Sequence, residues 1–282
     1  MKKGLILEGG AMRGMFTAGV IDVLMENGVE FDGAVGVSAG AAFGVNYKSK
    51  QIGRVIRYNT RFARDKRYSG WGVFLRTGNI YSTDFCYNEV PLVHDIFDFD
   101  TYESNPMEFY VVTTDVETGK AVYYKLGGRD DYCFDWIRAS ASMPLVSQIV
   151  QIGEQKMLDG GISDSIPVKF FESIGYDKNI VILTQPKNYR KKKNSLLPLV
   201  KLKYIKYPNF VKTVANRHNM YNETLAYIEE KEKTGELMVI RPEDKLPVGR
   251  VEKNPDKLRL VYETGRRTAY EHLDKILKFL EI

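Results

Sequence analysis

Three short runs in this 282-residue chain carry residue types suited to acyl transfer. Ser38 sits in G-V-S-A-G (36–40), directly after the apolar stretch 31–37 and before the small residues Ala39, Ala41 and Ala42. A serine between glycines at a strand-to-helix bend has the pattern of a nucleophile elbow. Gly36 and Gly40 let strand and helix approach closely, and the hydroxyl is left exposed above the sheet. The opening turn of the helix also presents unpaired N–H groups to an anion. A second run, E-G-G-A-M-R-G (8–14), places Gly9, Gly10 and Ala11 behind a short apolar strand, where backbone N–H groups can converge on an oxyanion. A third, D-G-G (159–161), puts the Asp159 carboxylate at a strand end, with Gly160 and Gly161 permitting close approach. Each run also has a plainer reading: a glycine-rich βα turn with a capping serine, a tight turn, and ordinary turn chemistry. A dinucleotide-binding turn at 8–14 is disfavoured. Ala11 stands where G-x-G-x-x-G needs a glycine, and the acids Glu30 and Asp32 precede the second strand's end instead of marking it.

The elements that must position these runs follow from apolar periodicity. A strand over 4–8, a helix over 15–27, a strand over 31–37 and a helix from 39 to 45 alternate, which implies a parallel sheet covered by helices. A helix is expected at 51–62, whereas 65–102 is aromatic and without a clear period. Strands at 109–114 and 121–125 read as a hairpin across E-T-G (117–119). A helix at 130–142, short strands at 149–152 and 156–158, a helix at 167–174 opened by proline and a strand at 179–184 complete the first part. Beyond it come a helix at 208–233, a strand at 236–240 and a helix at 255–280. The expected architecture is a three-layer α/β/α domain over 1–185 with a mostly parallel sheet. A C-terminal helical extension, 186–282, packs on it.

Composition narrows the function classes. The chain has 41 Lys+Arg and 36 Asp+Glu, a net charge of +5, with 44% hydrophobic and 27% charged residues, values that exclude a disordered chain. No apolar run reaches the roughly 18 residues of a membrane span. The apolar stretch behind Met1-Lys2-Lys3 ends at Glu8, too early for a secretory leader. Two cysteines, Cys86 and Cys133, cannot build a disulfide framework, so a cytoplasmic setting is expected, with the inner membrane surface as a peripheral site. The three histidines, His94, His218 and His272, are scattered, and neither H-x-x-x-H nor a calcium loop occurs, so no metal or cofactor is expected. Charge is uneven: residues 178–222 hold eleven Lys/Arg and no acid, so the rest of the chain sums to −6. Within this stretch, 186–207 interleaves bases with Leu, Ile and Tyr. It reads either as a solvated loop followed by an amphipathic helix on the core, or as a contact for an anionic membrane surface worth about 1 kcal/mol per base. Nucleic acid is not an expected partner, since no recognised binding motif accompanies the charge.

Taken together at their spacings, the three runs resemble the patatin-like phospholipase family over residues 4–185, and A-S-A-S-M-P (139–144) is similar to a further family segment. I-R-P (240–242) and the helix after Pro255 look like an extension found in a bacterial branch. The resemblance implies a patatin-like fold and a Ser38–Asp159 dyad that works without histidine. It also implies an oxyanion loop formed by Gly9, Gly10, Ala11, Arg13 and Gly14. Ala11 replaces a frequent third glycine, and the loop is expected to keep its function if Ala11 adopts a negative φ. The residues alone leave a histidine base open, because His218 or His272 would complete the order Ser…Asp…His, though both fall in amphipathic helical stretches. The expected activity is a serine acyl hydrolase acting on lipid esters through an acyl-serine. The alternatives are an acyltransferase using the same intermediate and a lipid-binding protein with an idle dyad. Tyr68, Trp71, Phe74 and Tyr81 are candidates to line an acyl channel, or else belong to the core.

Overall fold

The structure, a computed structural model, describes residues 1–129 and 133–282. The chain opens with β1 (Lys2–Leu7), α1 (Gly14–Glu26), β2 (Gly33–Val37), α2 (Ala39–Lys48), α3 (Arg54–Phe62) and α4 (Trp71–Thr77). After a π-helical stretch, Phe85–His94, come α5 (Phe99–Ser104), β3 (Glu108–Asp115), β4 (Ala121–Lys125), α6 (Cys133–Ser140), β5 (Val150–Ile152) and β6 (Gln155–Asp159). Then α7 (Val168–Ser173), β7 (Tyr176–Ile182), α8 (Leu197–Lys203), α9 (Pro208–Thr234), β8 (Leu237–Ile240) and α10 (Pro255–Leu280) complete it. The helix expected over 130–142 is present from Cys133, and residues 130–132 lie outside the described residues. The stretch without a clear period contains Pro91 inside the π-helical turns, which removes a backbone donor and breaks the 3.6-residue repeat.

The strands form one sheet in the order β5-β6-β3-β2-β1-β7-β8, with β4 also paired to β3. Pairings among β3, β2, β1, β7 and β8 are parallel, and β4, β5 and β6 enter antiparallel. The fold is therefore α/β with a mostly parallel central sheet and a C-terminal helical region, as expected. In β1, Leu5 and Leu7 face one apolar cluster and Ile6 the other, all fully buried. Burying each such side chain is worth roughly 1.5–3 kcal/mol. β8 extends the sheet beside β7, and α10 packs on α1. That helix pair is close enough that a Cβ at Gly19 would strike the Tyr262 carbonyl and one at Gly265 the Phe16 carbonyl. Asp22, buried in the same interface, accepts hydrogen bonds from the Tyr262 hydroxyl (2.7 Å) and the Gly53 N–H (3.0 Å).

The register brings two distant strand ends together. Thr113 and Thr114 pair with β4 on one edge of β3 and with β6 on the other. β2 pairs with Glu108 through Val112, and since Tyr110 to Val112 also pair with β4, β2 must share the edge used by β6. β2 arrives in parallel and ends with Val37 opposite Val112. β6 arrives antiparallel and ends with Asp159 opposite Thr113. The C-terminal ends of the two strands meet head to head.

Candidate active site

Ser38 follows Val37 with φ 55° and ψ −120°, left-handed backbone that costs about 1–3 kcal/mol for a residue with a side chain. The elbow holds because the chain is cramped there. A Cβ on Gly36 would lie 2.5 Å from the Ala41 Cα, and one on Gly40 would lie 2.8 Å from the Glu8 carbonyl oxygen. The first turn of α2 thus rides directly on the ends of β1 and β2. The Ser38 hydroxyl donates to Asp159 Oδ2 at 2.9 Å, and both residues are nearly buried, at 8% and 5% exposure. The other carboxylate oxygen of Asp159 accepts the Gly161 N–H at 2.8 Å. Burial pushes the Asp159 carboxyl above its ordinary value. The nearby Arg217 guanidinium, the Gly161 N–H and the Ser38 hydroxyl pull the other way without cancelling it.

The segment 139–144 ties the two residues to one frame. Ser140 Oγ accepts the Ser38 N–H at 2.8 Å and donates to the Val112 carbonyl at 2.6 Å. The Ser142 carbonyl accepts the Asp159 N–H at 2.9 Å.

The glycine-rich loop lies on the elbow: a Cβ at Gly9 would be 3.1 Å from Ser38 Cβ. Among the described residues, the backbone N–H groups of Gly10, Ala11 and Ala39 have no protein acceptor. Ala11 corrects the expectation of negative φ, since its φ is 49°. It adopts the glycine-like conformation of the residue it replaces, because the chain must turn from β1 into a short 3-10 turn, Ala11–Arg13, before α1. Gly14 opens α1 and packs against Phe43 and Ala39. Glu8, buried at the end of β1, accepts from the Thr184 N–H and hydroxyl (2.5 and 3.0 Å) and from the Tyr221 hydroxyl at 2.6 Å.

Ser38 stands between two cavities of different character. One, about 130 Å³, is largely apolar and lined by Met12, Phe43, Tyr68, Tyr81, Val90 and Phe97, among others. Tyr68 and Tyr81 line this cavity and also pack in or against the core cluster, so the two readings of these residues coincide. Trp71 is 69% exposed and stacks edge-on with Phe74 (5.7 Å between centroids), and neither lines this cavity. The other cavity, about 620 Å³, is lined by Ser38, Asp159 and the glycine loop together with Lys191, Arg217 and Arg250.

Among the described residues no imidazole bonds to Ser38 or Asp159. His218 lines the larger cavity, but its Nδ1 lies 3.1 Å from the Ala215 carbonyl of its own helix. His272 is bonded within α10 to the Thr268 carbonyl, and His94 Nε2 lies 3.4 Å from Glu89 Oε2. No group of residues that could hold a metal ion is found among the described residues. Arg217, whose Nε donates to the Gly161 carbonyl, was not singled out from the sequence. Its signal was position, since it lies three residues after Val214 and four before Tyr221 on the buried stripe of α9. In 186–207, Val200 and Tyr204 pack on the core, while Leu196, Leu199, Leu202 and Ile205 are exposed, Leu202 at 74%. Among the described residues no helix is long and apolar enough to cross a membrane.

Comparison with known proteins gives a match over residues 5–171 to the family model described as patatin-like phospholipase. A second match, over 207–281, is to a domain of unknown function (DUF6363). The chain is 30% identical over 195 residues to the uncharacterized protein YjjU of Escherichia coli, covering 64% of this chain and 52% of that protein. It is 30% identical over 186 residues to the lysophospholipase nte1 of Aspergillus niger, covering 62% of this chain and 11% of the relative. The chain therefore spans about half of YjjU and about a tenth of the fungal proteins it matches. Among solved structures it is similar to VipD from Legionella pneumophila, with TM-score 0.48, 13% identity and coverage of 97% of this chain and 67% of that one.

Proposed function

Because this chain belongs to the patatin-like phospholipase family, we propose that it hydrolyses carboxylic esters of lipids, with Ser38 as nucleophile and Asp159 as its base. The observation that carries the reading is the 2.9 Å hydrogen bond from Ser38 Oγ to a buried carboxylate whose pKa is raised. A carboxylate that resists ionisation is a stronger base once ionised, which suits proton abstraction from a hydroxyl near neutral pH. The fungal relatives are named lysophospholipases, which points to the same substrate class.

The reaction runs in two halves. Ser38 Oγ attacks the ester carbonyl as Asp159 takes the hydroxyl proton, and the N–H groups of Gly10 and Ala11, with Ala39 as a third candidate, hold the oxyanion. Each such donor typically lowers the barrier by about 2.7–4 kcal/mol. Collapse expels the alcohol, which receives the proton from Asp159 and leaves an acyl-serine. Water then attacks the acyl carbon while Asp159 accepts its proton. Collapse of the second tetrahedral species returns the proton to Ser38 and releases the fatty acid. Arg13 and Arg217 add positive potential at the developing charge. Residues 186–282 complete this site by supplying Lys191, Arg217 and Arg250, and the exposed leucines of α8 beside them meet the lipid surface.

Release of free fatty acid from a lysophospholipid, with and without an added alcohol acceptor, tests the reaction. Fatty acid as the main product supports hydrolysis. Transfer of the acyl group to the alcohol in its place would make the chain a transferase. Sedimentation with anionic against neutral vesicles tests the α8 contact, and equal recovery in both would remove it.

A further inference from the structure

The larger cavity beside Ser38 has an unbalanced charge. Asp159 is the one carboxylate among the described residues that line it, and it is engaged by Ser38 and Gly161. Lining the same cavity are Arg13 from the glycine loop, Lys191 and the exposed Lys192 and Lys193 from the loop after β7, Arg217 from α9 and Arg250 from the loop after β8. Arg190, at the same wall, is paired with Glu229 and is set aside. The next acid, Glu8, has its carboxylate committed to Thr184 and Tyr221.

Two of the loops that carry these cations are held in place. The Lys191 N–H donates to Asn222 Oδ1 (2.8 Å), and Asn222 Nδ2 donates back to the Lys191 carbonyl (3.0 Å), which fastens this loop to α9. Its ammonium stands 4.3 Å from the centre of the Tyr221 ring. The Arg250 carbonyl accepts from the Tyr81 hydroxyl at 3.2 Å, so the arginine's loop is anchored to a wall of the apolar cavity. Arg13 Nε is buried with no hydrogen-bond partner among the described residues. Cations gathered in this way, with one donor left unsatisfied, cost folding energy that an anion would recover. Burial, and then the Arg217 charge, push the Lys191 ammonium down to about 7, in keeping with a cation held among cations.

Resting on the hydrolase reading, we infer that the substrate is a lipid with a compact anionic headgroup, a phosphate monoester fitting best. The headgroup sits among Arg13, Lys191, Arg217 and Arg250 while the acyl chain enters the apolar cavity on the other side of Ser38. Guanidinium forks match phosphate oxygens in pairs, and a phosphate monoester carries the charge to face several of them. Three of these cations, Lys191, Arg217 and Arg250, come from beyond the residues matched by the patatin family, so the C-terminal part of the chain sets the headgroup preference.

Calorimetric titration of the full chain tests this with three probes kept below micelle-forming concentration: 1-O-octylglycerol 3-phosphate, 1-O-octylglycerol and inorganic phosphate. The lipid probes carry an ether in place of the ester, so binding is read whether or not Ser38 cleaves esters. Loss of ester cleavage alone would sink the hydrolase reading and leave this measurement intact. The phosphate-bearing ether is expected to bind at least about tenfold more tightly than either other probe. Arg250→Ala and Lys191→Ala are each expected to weaken it several-fold, and Arg250→Lys to restore most of the loss. Arg250 is exposed, so its variants fold. Equal binding of octylglycerol with and without phosphate would overturn the inference. Inorganic phosphate binding as tightly as the lipid phosphate would overturn it too, leaving a phosphate site unconnected to the acyl cavity.

Discussion

Val37 and Asp159 stand end to end along one edge of β3, opposite Val112 and Thr113. Everything at the site follows from that register. The residue after Val37 is Ser38, and the side chain that ends β6 reaches it across 2.9 Å. A one-residue slip of β6 would turn Asp159 to the other face of the sheet, where no hydroxyl waits.

Ser140 is expected to act as a positioning residue. Its hydroxyl accepts a hydrogen bond from the Ser38 N–H and donates one to the Val112 carbonyl. Ser140→Ala leaves a buried N–H without an acceptor, at about 1–3 kcal/mol of stability. It also loosens the elbow, so kcat on a p-nitrophenyl ester should fall while KM stays within a few-fold. Ser140→Thr should restore part of kcat. A variant with lower melting temperature but unchanged kcat would show that the hydroxyl serves only the fold.

At Ala11, φ of 49° puts a side chain where glycine is preferred. Ala11→Gly removes that strain and pays back part of it as chain entropy in the unfolded state, for a net gain of roughly 0.5–1 kcal/mol. Chemical denaturation should show the higher midpoint with ester hydrolysis retained. Ala11→Val should lose both stability and activity, since a β-branched residue tolerates this backbone poorly.

Asp22 gives a pH-dependent test of the α1–α10 interface. Burial raises its carboxyl to about 6, against the opposing hydrogen bonds from Tyr262 and Gly53. With the folded value above the unfolded one, its contribution is fully present below about pH 4 and is lost as pH rises through 6. Asp22→Asn should therefore raise the melting temperature at pH 7–8, and the gain should shrink to nothing as pH falls towards 4. A gain that does not change with pH would place the effect elsewhere than in ionisation.

Much of this was legible in the amino-acid order. The alternation of apolar strands and amphipathic helices located the elements, and the glycines around Ser38 and after Asp159 marked the two bends that bring these side chains together. The helices expected over 208–233 and 255–280, each opening at a proline, correspond to α9 and α10. Less legible were the side chains that reach the site from another element. Arg217 lies on the buried stripe of α9, and Glu8 directly follows β1 after the fully buried Leu5, Ile6 and Leu7. Both were polar residues in apolar positions, a signal that only the tertiary neighbours resolve. The positive φ of Ala11 had no local sign, because alanine is chosen against there and the surrounding chain imposes it. The stretch around Pro91 hid its turns because π-helical spacing fits neither helix nor strand periodicity.

The most direct test of the Ser38–Asp159 dyad is covalent labelling by a fluorophosphonate, read by intact mass and peptide mapping, in the wild type and in Asp159→Asn. The account predicts one phosphonyl group on Ser38 in the wild type and labelling about 10²–10⁴-fold slower in the variant. Label on another residue, or Asp159→Asn reacting at the wild-type rate, would contradict it.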